Sequence, residues 1–326
     1  MHTELCKLLG DLNIRPVLMD VGASGAPLPI WNDIAPQSIY IGFDPDLREI
    51  HEDKSSEFHR SVMVNEAVIA GPASEVSFYL TKSPFCSTTL APNPQATSHW
   101  LERDSFEVES RAVVRATTID SVLRRLEIPR IDWIKLDTQG IDLRLLNSIS
   151  PDVLSRVMAV DTEPGLIDIY QGEDMFVDVH RDLTSKGFWL SRIHPGSFLR
   201  MRKTTLDAMN RANLEIDERY IRNCVRTSPA YIEARYLRTL EWLAERSLSQ
   251  HEYVLLWIFA LTDDQLGFAL DISVEFERIF GETDSSRTLK AATAQAMKRA
   301  ARRASVARKV MPGVQRIMSV MKWFIG

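Results

Sequence analysis

Residues 17–25 read Val-Leu-Met-Asp-Val-Gly-Ala-Ser-Gly, and no other run of this length restricts the fold as much. Three apolar residues of a short strand lead into Asp20, then into a turn with glycines at 22 and 25. A strand ending in an acid and a glycine turn is how an open α/β sheet receives a nucleotide-like ligand. Glycine lets the backbone approach a ligand that sits beyond the strand's carboxyl end. A second strand-like run, Ile39-Tyr40-Ile41-Gly42-Phe43, ends at Asp44, 24 residues after Asp20. A carboxylate there can accept from both hydroxyls of a ribose, so the two strand ends imply an adenosine-containing cofactor.

The dinucleotide fingerprint needs Gly-x-Gly-x-x-Gly, usually with no acid just ahead of the first glycine. Here Leu28 stands where a third glycine would fall, and Asp20 precedes the turn. S-adenosylmethionine fits this arrangement better. It has no pyrophosphate needing a helix N-terminus, and its ammonium and sulfonium groups are favoured by an acid at the end of the first strand. On this reading Asp20, Gly22, Ala23 and Gly25 hold the methionine half and Asp44 the ribose, with Ser24, Pro45 and Asn65 completing the cofactor-binding set. A tight turn followed by an exposed strand-end acid is the plain structural alternative, and a nicotinamide-dependent oxidoreductase the rival enzyme.

The 326 residues leave room for one α/β domain and an appended piece. Cys6, Cys86 and Cys224 are far apart, which argues against a disulfide framework or a zinc site and suits a reducing compartment. The first residues carry no basic segment followed by a long apolar run, so no signal peptide is expected. The longest apolar stretch, Tyr253 to Leu261, is nine residues, about half a bilayer span.

From residue 12 to about 200, strand-like and helical runs alternate, which predicts a doubly wound, mainly parallel α/β sheet. Strands are expected at 17–20, 39–44, 61–65, 76–80, 112–116, 131–137, 157–161 and 187–193, and helices at 118–127, 141–149 and 174–186. Residues 82–98, with Pro84, Pro92 and Pro94, form a loop able to lie over a site. After 203 the strand signals stop. The expected organisation is a cofactor-binding domain over 1–203, a helical region over 204–284, and a basic tail over 285–326 that follows a linker at Asp284-Ser285-Ser286 and is broken at Pro312-Gly313.

The second informative run is Ile131-Asp132-Trp133-Ile134-Lys135-Leu136-Asp137-Thr138-Gln139-Gly140, a buried strand ending in an acid and a turn. Lys135 and Asp137, two apart, share one strand face. They form either an ion pair closing the sheet end or a contact to the methionine moiety or substrate.

With these residues in view, the sequence resembles the FkbM family of S-adenosylmethionine-dependent methyltransferases. The resemblance rests on ordered runs: Val17–Gly25, Phe43-Asp44-Pro45, Asn65-Glu66-Ala67-Val68, Cys86-Ser87-Thr88-Thr89-Leu90 with Pro92-Asn93, Thr117–Val122, Ile131–Gly140, Tyr170-Gln171-Gly172-Glu173 with Phe176, and Lys186-Gly187-Phe188. It spans about residues 15–195 and implies a class I, Rossmann-like methyltransferase domain. The family commonly has Asp-Val-Glu-Gly where this chain has Asp137-Thr138-Gln139-Gly140, which leaves no carboxylate at 139. The helical region and tail have no counterpart in it.

Family membership implies O-methylation of a hydroxyl, often on a sugar or a polyketide-like product. Alignment of the reacting atoms supplies most of such catalysis, and an aliphatic hydroxyl gains from a general base within reach. Asp137 ranks first as a site residue; for the base, Glu163 and His194 stay open as alternatives. No metal-binding constellation stands out among the scattered histidines, although Asp137, Asp161 and Glu163 form a conceivable magnesium-assisted variant. A catalytically silent scaffold keeping the sheet for partner contact is the reading from another class.

The net charge of −5 hides an asymmetry. The last 40 residues hold ten Lys or Arg and no acid, which leaves −15 on the rest. Val314, Ile317, Met318, Met321, Phe324 and Ile325 recur at helical spacing beside cationic residues. That pattern suits peripheral contact with an anionic membrane surface, docking on the acidic body, or self-association. A nucleic-acid partner is disfavoured by the acidic body. The expected location is the cytoplasm, with the tail able to reach the inner face of the membrane.

Overall fold

The computed structural model describes residues 2–46, 48, 57–212, 214, 216–246 and 248–325, with side chains from 5 to 305 among them. It divides into two compact units, residues 2–247 and 248–326.

Among the described residues the first unit carries strands β1 (Val17–Val21), β2 (Ile39–Phe43), β3 (Arg60–Val64), β4 (Ala67–Val68), β5 (Glu75–Thr81), β6 (Val108–Thr117), β7 (Trp133–Leu136), β8 (Ala159–Thr162), β9 (Phe188–Leu199) and β10 (Thr227–Arg238). Seven of them form one sheet in the order β3-β2-β1-β7-β8-β10-β9. The first five are parallel, and β10 runs antiparallel to both its neighbours. A smaller sheet has the order β4-β6-β5.

The strands that sequence reading places best are those buried on both faces. All five residues of β1 are buried, which is why it reads as a continuous apolar run rather than an alternating one. Helices α1 (His2–Asp11), α2 (Pro94–Thr97), α3 (Ile119–Leu126), α4 (Asp142–Ser148), α5 (Pro151–Leu154) and α6 (Phe176–Ser185) connect the strands. Thr118 caps α3 by accepting from the Ser121 amide at 3.3 Å, and Glu127 ends it in the left-handed conformation at φ 56°. Val122, Leu145, Leu146, Val179 and Leu183 of these helices pack with Val21, Ile41, Ile134, Leu136 and Val160 of the sheet in one core.

Chain order reverses at β1, with β2 and β3 on one side and β7 and β8 on the other. In an open α/β sheet the crevice outside the strand ends at such a switch point is where ligands bind.

The sequence reading fails beyond residue 203. Helices α7 (Lys203–Arg211) and α8 (Glu218–Cys224) follow as expected, but β10 then enters the sheet between β8 and β9 before α9 (Leu240–Glu245). Pro229, Glu233 and Arg235 disguise it as non-strand; Arg235 is tolerated because its Nε donates to Asp161 at 2.8 Å. The sheet-bearing unit therefore runs to 247 rather than 203.

The second unit is helical: α10 (Gln250–Thr262), α11 (Leu266–Phe280) and α12 (Asp284–Ile325). Ser249 and Glu252 form a reciprocal capping box on α10, whose residues Glu252 to Leu261 are all buried. Trp257 donates to Thr293 at 2.8 Å and ties α10 to α12. Asp284-Ser285-Ser286 is not a linker but the first turn of α12, where the Ser286 and Thr283 side chains each accept from the other's amide, at 2.8 and 3.1 Å. The same polar residues serve caps and loops, which is why composition alone misassigns them. The helix also continues through Pro312-Gly313, where a break was expected. The side chains of the amphipathic stretch from 314 onward lie outside the described residues. No helix among the described residues is long and apolar enough to cross a membrane.

Candidate active site

A cavity of about 410 Å³ opens at the carboxyl ends of β1, β2, β7 and β8, within the usual size of small-molecule sites. Val21, Gly22 and Ser24 line it from the first turn, Phe43, Asp44, Pro45 and Asp46 from the second, and Asp137 to Ile141 from the third.

Gly22, at φ +84°, makes the first turn possible. A Cβ there would lie 2.0 Å from the Asp137 carbonyl oxygen, so only glycine lets the first and third turns meet. The amides of Gly22 and Ala23 both donate to the Phe43 carbonyl, at 3.0 and 2.9 Å, and lock the first turn to the second.

Asp44 is 5% exposed, accepts from the Asp46 amide at 2.7 Å and is bonded by Ser24. Burial pushes its carboxyl up to about 6. Asp46 in turn grips Arg48, whose guanidinium also donates to the Thr81 carbonyl at 3.2 Å and the Ser87 hydroxyl at 3.0 Å.

Asp20 faces elsewhere. Strand alternation and register put it beside Lys135, and it accepts from Lys135 Nζ at 2.9 Å and from the Tyr40 hydroxyl at 3.2 Å. With 1% exposure it lies outside the cavity wall, as a support under the turn rather than a ligand contact. Burial raises its carboxyl, with Lys135 opposing. Lys135 also donates to the Gly22 carbonyl at 3.2 Å and pairs with Asp137 at 3.4 Å, so the ion pair at the sheet end is present. Burial alone would pull this lysine down, but Asp20 and Asp137 outweigh it and hold the ammonium above its ordinary range.

Asp137 and Glu163 meet at the ends of β7 and β8 and share a hydrogen bond. Burial, then the Asp137 charge, raises Glu163; against its own burial Asp137 is held low by Lys135 and by bonds from Glu163 and Gln139. Two carboxyls this close cannot both ionise cheaply, so the pair carries one proton between them. Gln139, in the left-handed region at φ 57°, donates from Nε2 to Asp137 at 2.8 Å and accepts the Tyr170 hydroxyl at 2.7 Å. Asp142, at the start of α4, accepts from the Thr138 and Glu163 amides at 3.1 and 2.8 Å.

Of the residues expected from sequence, Gly22, Ser24, Asp44, Pro45, Asp137 and Glu163 line the cavity. Ala23 is buried and Gly25, at φ +84°, turns the chain, but neither lines it. Asn65 is exposed on the turn after β3, and its neighbour Glu66 lines the cavity instead. His194 is not at a strand end. β9 runs on to Leu199, and His194 sits exposed within it opposite Glu233, away from the cavity. Asp161 is taken by Trp133 Nε1 and Arg235, and no acid cluster able to hold a metal occurs among the described residues.

Sequence reasoning missed Glu66, Tyr170, Glu173 and Tyr231. Tyr170 and Glu173 stand in a run already noted for its resemblance, whereas Tyr231 lies on the strand that was not anticipated.

Residues 32–190 match the family model described as the methyltransferase FkbM domain, just under half of the chain and within the span of the resemblance read from sequence. No curated protein matches the chain.

Proposed function

Because residues 32–190 match the model of the methyltransferase FkbM domain, we propose that the chain transfers a methyl group from S-adenosylmethionine to a hydroxyl, with a sugar or glycan hydroxyl as the acceptor. Asp44 carries this reading. It is a buried carboxyl at the end of β2, lining the cavity next to the Gly22 turn, with its pKa pushed up to about 6. Beyond the Asp46 amide and Ser24 the carboxylate has lone pairs left to accept two vicinal hydroxyls, which a ribose supplies. Gly22, Ser24 and Pro45 would shape the same half of the cavity.

The cofactor, when bound, supplies an electrophilic methyl on a sulfonium that leaves as a neutral thioether. The chain's own part is to align the acceptor and take its proton. The Asp137–Glu163 pair holds one proton and has room for a second, so it is the base this site offers. Lys135 keeps the ionised half of the pair charged, and Gln139, fixed by Tyr170, orients Asp137. Phe106, Phe198 and Tyr231 give the cavity an apolar wall, which disfavours water beside the acceptor.

The test is calorimetric titration of S-adenosylhomocysteine, with NAD as control. The wild type binds the homocysteine and not NAD. Asp44→Ala weakens binding about a hundredfold or more, from the loss of two hydrogen bonds to a charged acceptor at about 1.5–3 kcal/mol each. Asp137→Asn retains binding but loses methyl transfer. A folded wild type that fails to bind the homocysteine overturns the proposal.

A further inference from the structure

Among the described residues the cavity wall carries seven carboxyls and no Lys, Arg or His. Four of them already hold a cation from outside the wall: Asp46 takes Arg48, Glu66 takes Arg125, Glu102 takes Arg222 and Asp137 takes Lys135. Those cations are spent on the protein's own acids. Asp44, Glu163 and Glu173 have no such cationic partner among the ion pairs found, and Asp44 belongs to the ribose side.

Glu163 and Glu173 stand on the other side, with Tyr170, Tyr231, Phe106 and Phe198. Glu173 is 9% exposed and fills space that two glycines leave for it. A Cβ on Gly140 or Gly165 would come within 2.8 or 2.6 Å of its side chain. Its carboxyl accepts from the Ile169 amide, and burial pushes it up to about 7. The aromatic residues beside them form a connected group, Phe106 to Phe198 at 5.6 Å and Phe198 to Tyr231 at 5.9 Å between ring centroids.

An anion in such a site would need a guanidinium, an ammonium or a free helix N-terminus. The nearest helix start, that of α4, is closed by its own Asp142, which takes the Thr138 and Glu163 amides. Residues 49–56, outside the described part, hold three acids against one lysine, so their composition supplies no positive excess.

We propose that the acceptor half of this cavity selects by charge: it admits neutral and amine-bearing hydroxyl compounds and rejects those with a phosphate, sulfate or carboxylate close to the reacting hydroxyl. This rests on the methyl-transfer reading and narrows it. A sugar phosphate, a uronic acid or a nucleotide-proximal sugar hydroxyl is excluded, whereas a neutral or aminated glycan unit is admitted. At pH 8 Glu173 is ionised and the wall offers no cation to offset it, which weakens an anion about tenfold or more against its neutral analogue.

The experiment uses three small polyols on one skeleton: glycerol, 3-amino-1,2-propanediol and glycerol 3-phosphate. Saturation-transfer NMR at pH 8 measures their binding to the full chain, with and without saturating S-adenosylhomocysteine. The amine and the neutral polyol should bind, and the phosphate about tenfold more weakly or worse. In Glu173→Gln the gap should narrow. Equal or tighter binding of glycerol 3-phosphate overturns the inference, as does binding by none of the three. The homocysteine titration is a separate arm, so its failure strikes the methyl-transfer reading while the polyol series still reports on the cavity.

Discussion

Replacing Lys135 with methionine tests whether the ion pair under the glycine turn holds the site together. Its ammonium reaches Asp20 at 2.9 Å, the Gly22 carbonyl at 3.2 Å and Asp137 at 3.4 Å, with 17% of the side chain exposed. In Lys135→Met, Asp20 stays behind at 1% exposure with only Tyr40 as partner. Stranding one member of a buried pair costs about 3–5 kcal/mol. For a unit the size of residues 2–247, with Tm moving about 2–4 °C per kcal/mol, the drop is about 6–20 °C. The double variant Asp20→Asn with Lys135→Met removes both charges and should recover much of the loss. The lysine's folded pKa is raised, so its stabilisation is complete below the ordinary lysine value of about 10.4 and is lost only as pH rises through the higher folded value. In Lys135→Met the buried Asp20 carboxyl loses the cation that opposes its burial and rises further, so the variant loses stability as pH rises, and the gap in Tm to wild type should widen from pH 6 to pH 9. Differential scanning calorimetry of the four proteins completes the cycle. A single variant melting within about 2 °C of wild type, or a double variant as unstable as the sum of the singles, refutes the argument.

Two further outcomes follow from the charges. Glu173 has a folded pKa raised to about 7, so its contribution is fully present below the ordinary glutamate value of about 4.3 and is lost as pH rises through 7. The free protein should melt lower at pH 8 than at pH 5.5, and Glu173→Gln should reduce that difference without abolishing it, because Asp44 and Asp142 are both raised to about 6 and act in the same direction. For the tail we propose contact with anionic membrane surfaces, on its basic residues with no acid: the full chain should co-sediment with phosphatidylserine vesicles more than a chain ending at Ser305, which keeps Leu289 and Thr293 packed on α10, and equal co-sedimentation removes the idea.

The legible parts of this chain were those where one face or both are dry. The runs ending at Asp20, Asp44 and Asp137 are parallel strands of the sheet interior, and burial on both sides forces the apolar residues that sequence reading detects. β10 escaped because its charges are satisfied only across strands, Arg235 by Asp161, in pairings that no local pattern reveals. Site prediction erred in a similar way. Asp20 and Asp44 look equivalent as strand-end acids, yet Asp20 lies within its strand and faces Lys135, while Asp44 stands one residue past its strand and lines the cavity. A single position along the pleat separates a supporting ion pair from a residue of the cavity wall. His194 was placed at a strand end only because β9 was read as stopping at 193.

Position 139 shows what the sequence comparison alone could not decide. A glutamine where the family commonly carries a glutamate reads as the loss of an acid. In the structure its amide does two opposite things at once, donating to Asp137 and accepting from Tyr170. A carboxylate could accept from Tyr170 but not donate to an ionised Asp137, and it would put a third acid beside a pair that already shares one proton. With glutamine there, the proton and the negative charge beside Tyr170 are confined to Asp137 and Glu163, next to the ammonium that Asp137 shares with Asp20. On the proposed reading the Asp137–Glu163 pair supplies the base, although position 139 has none.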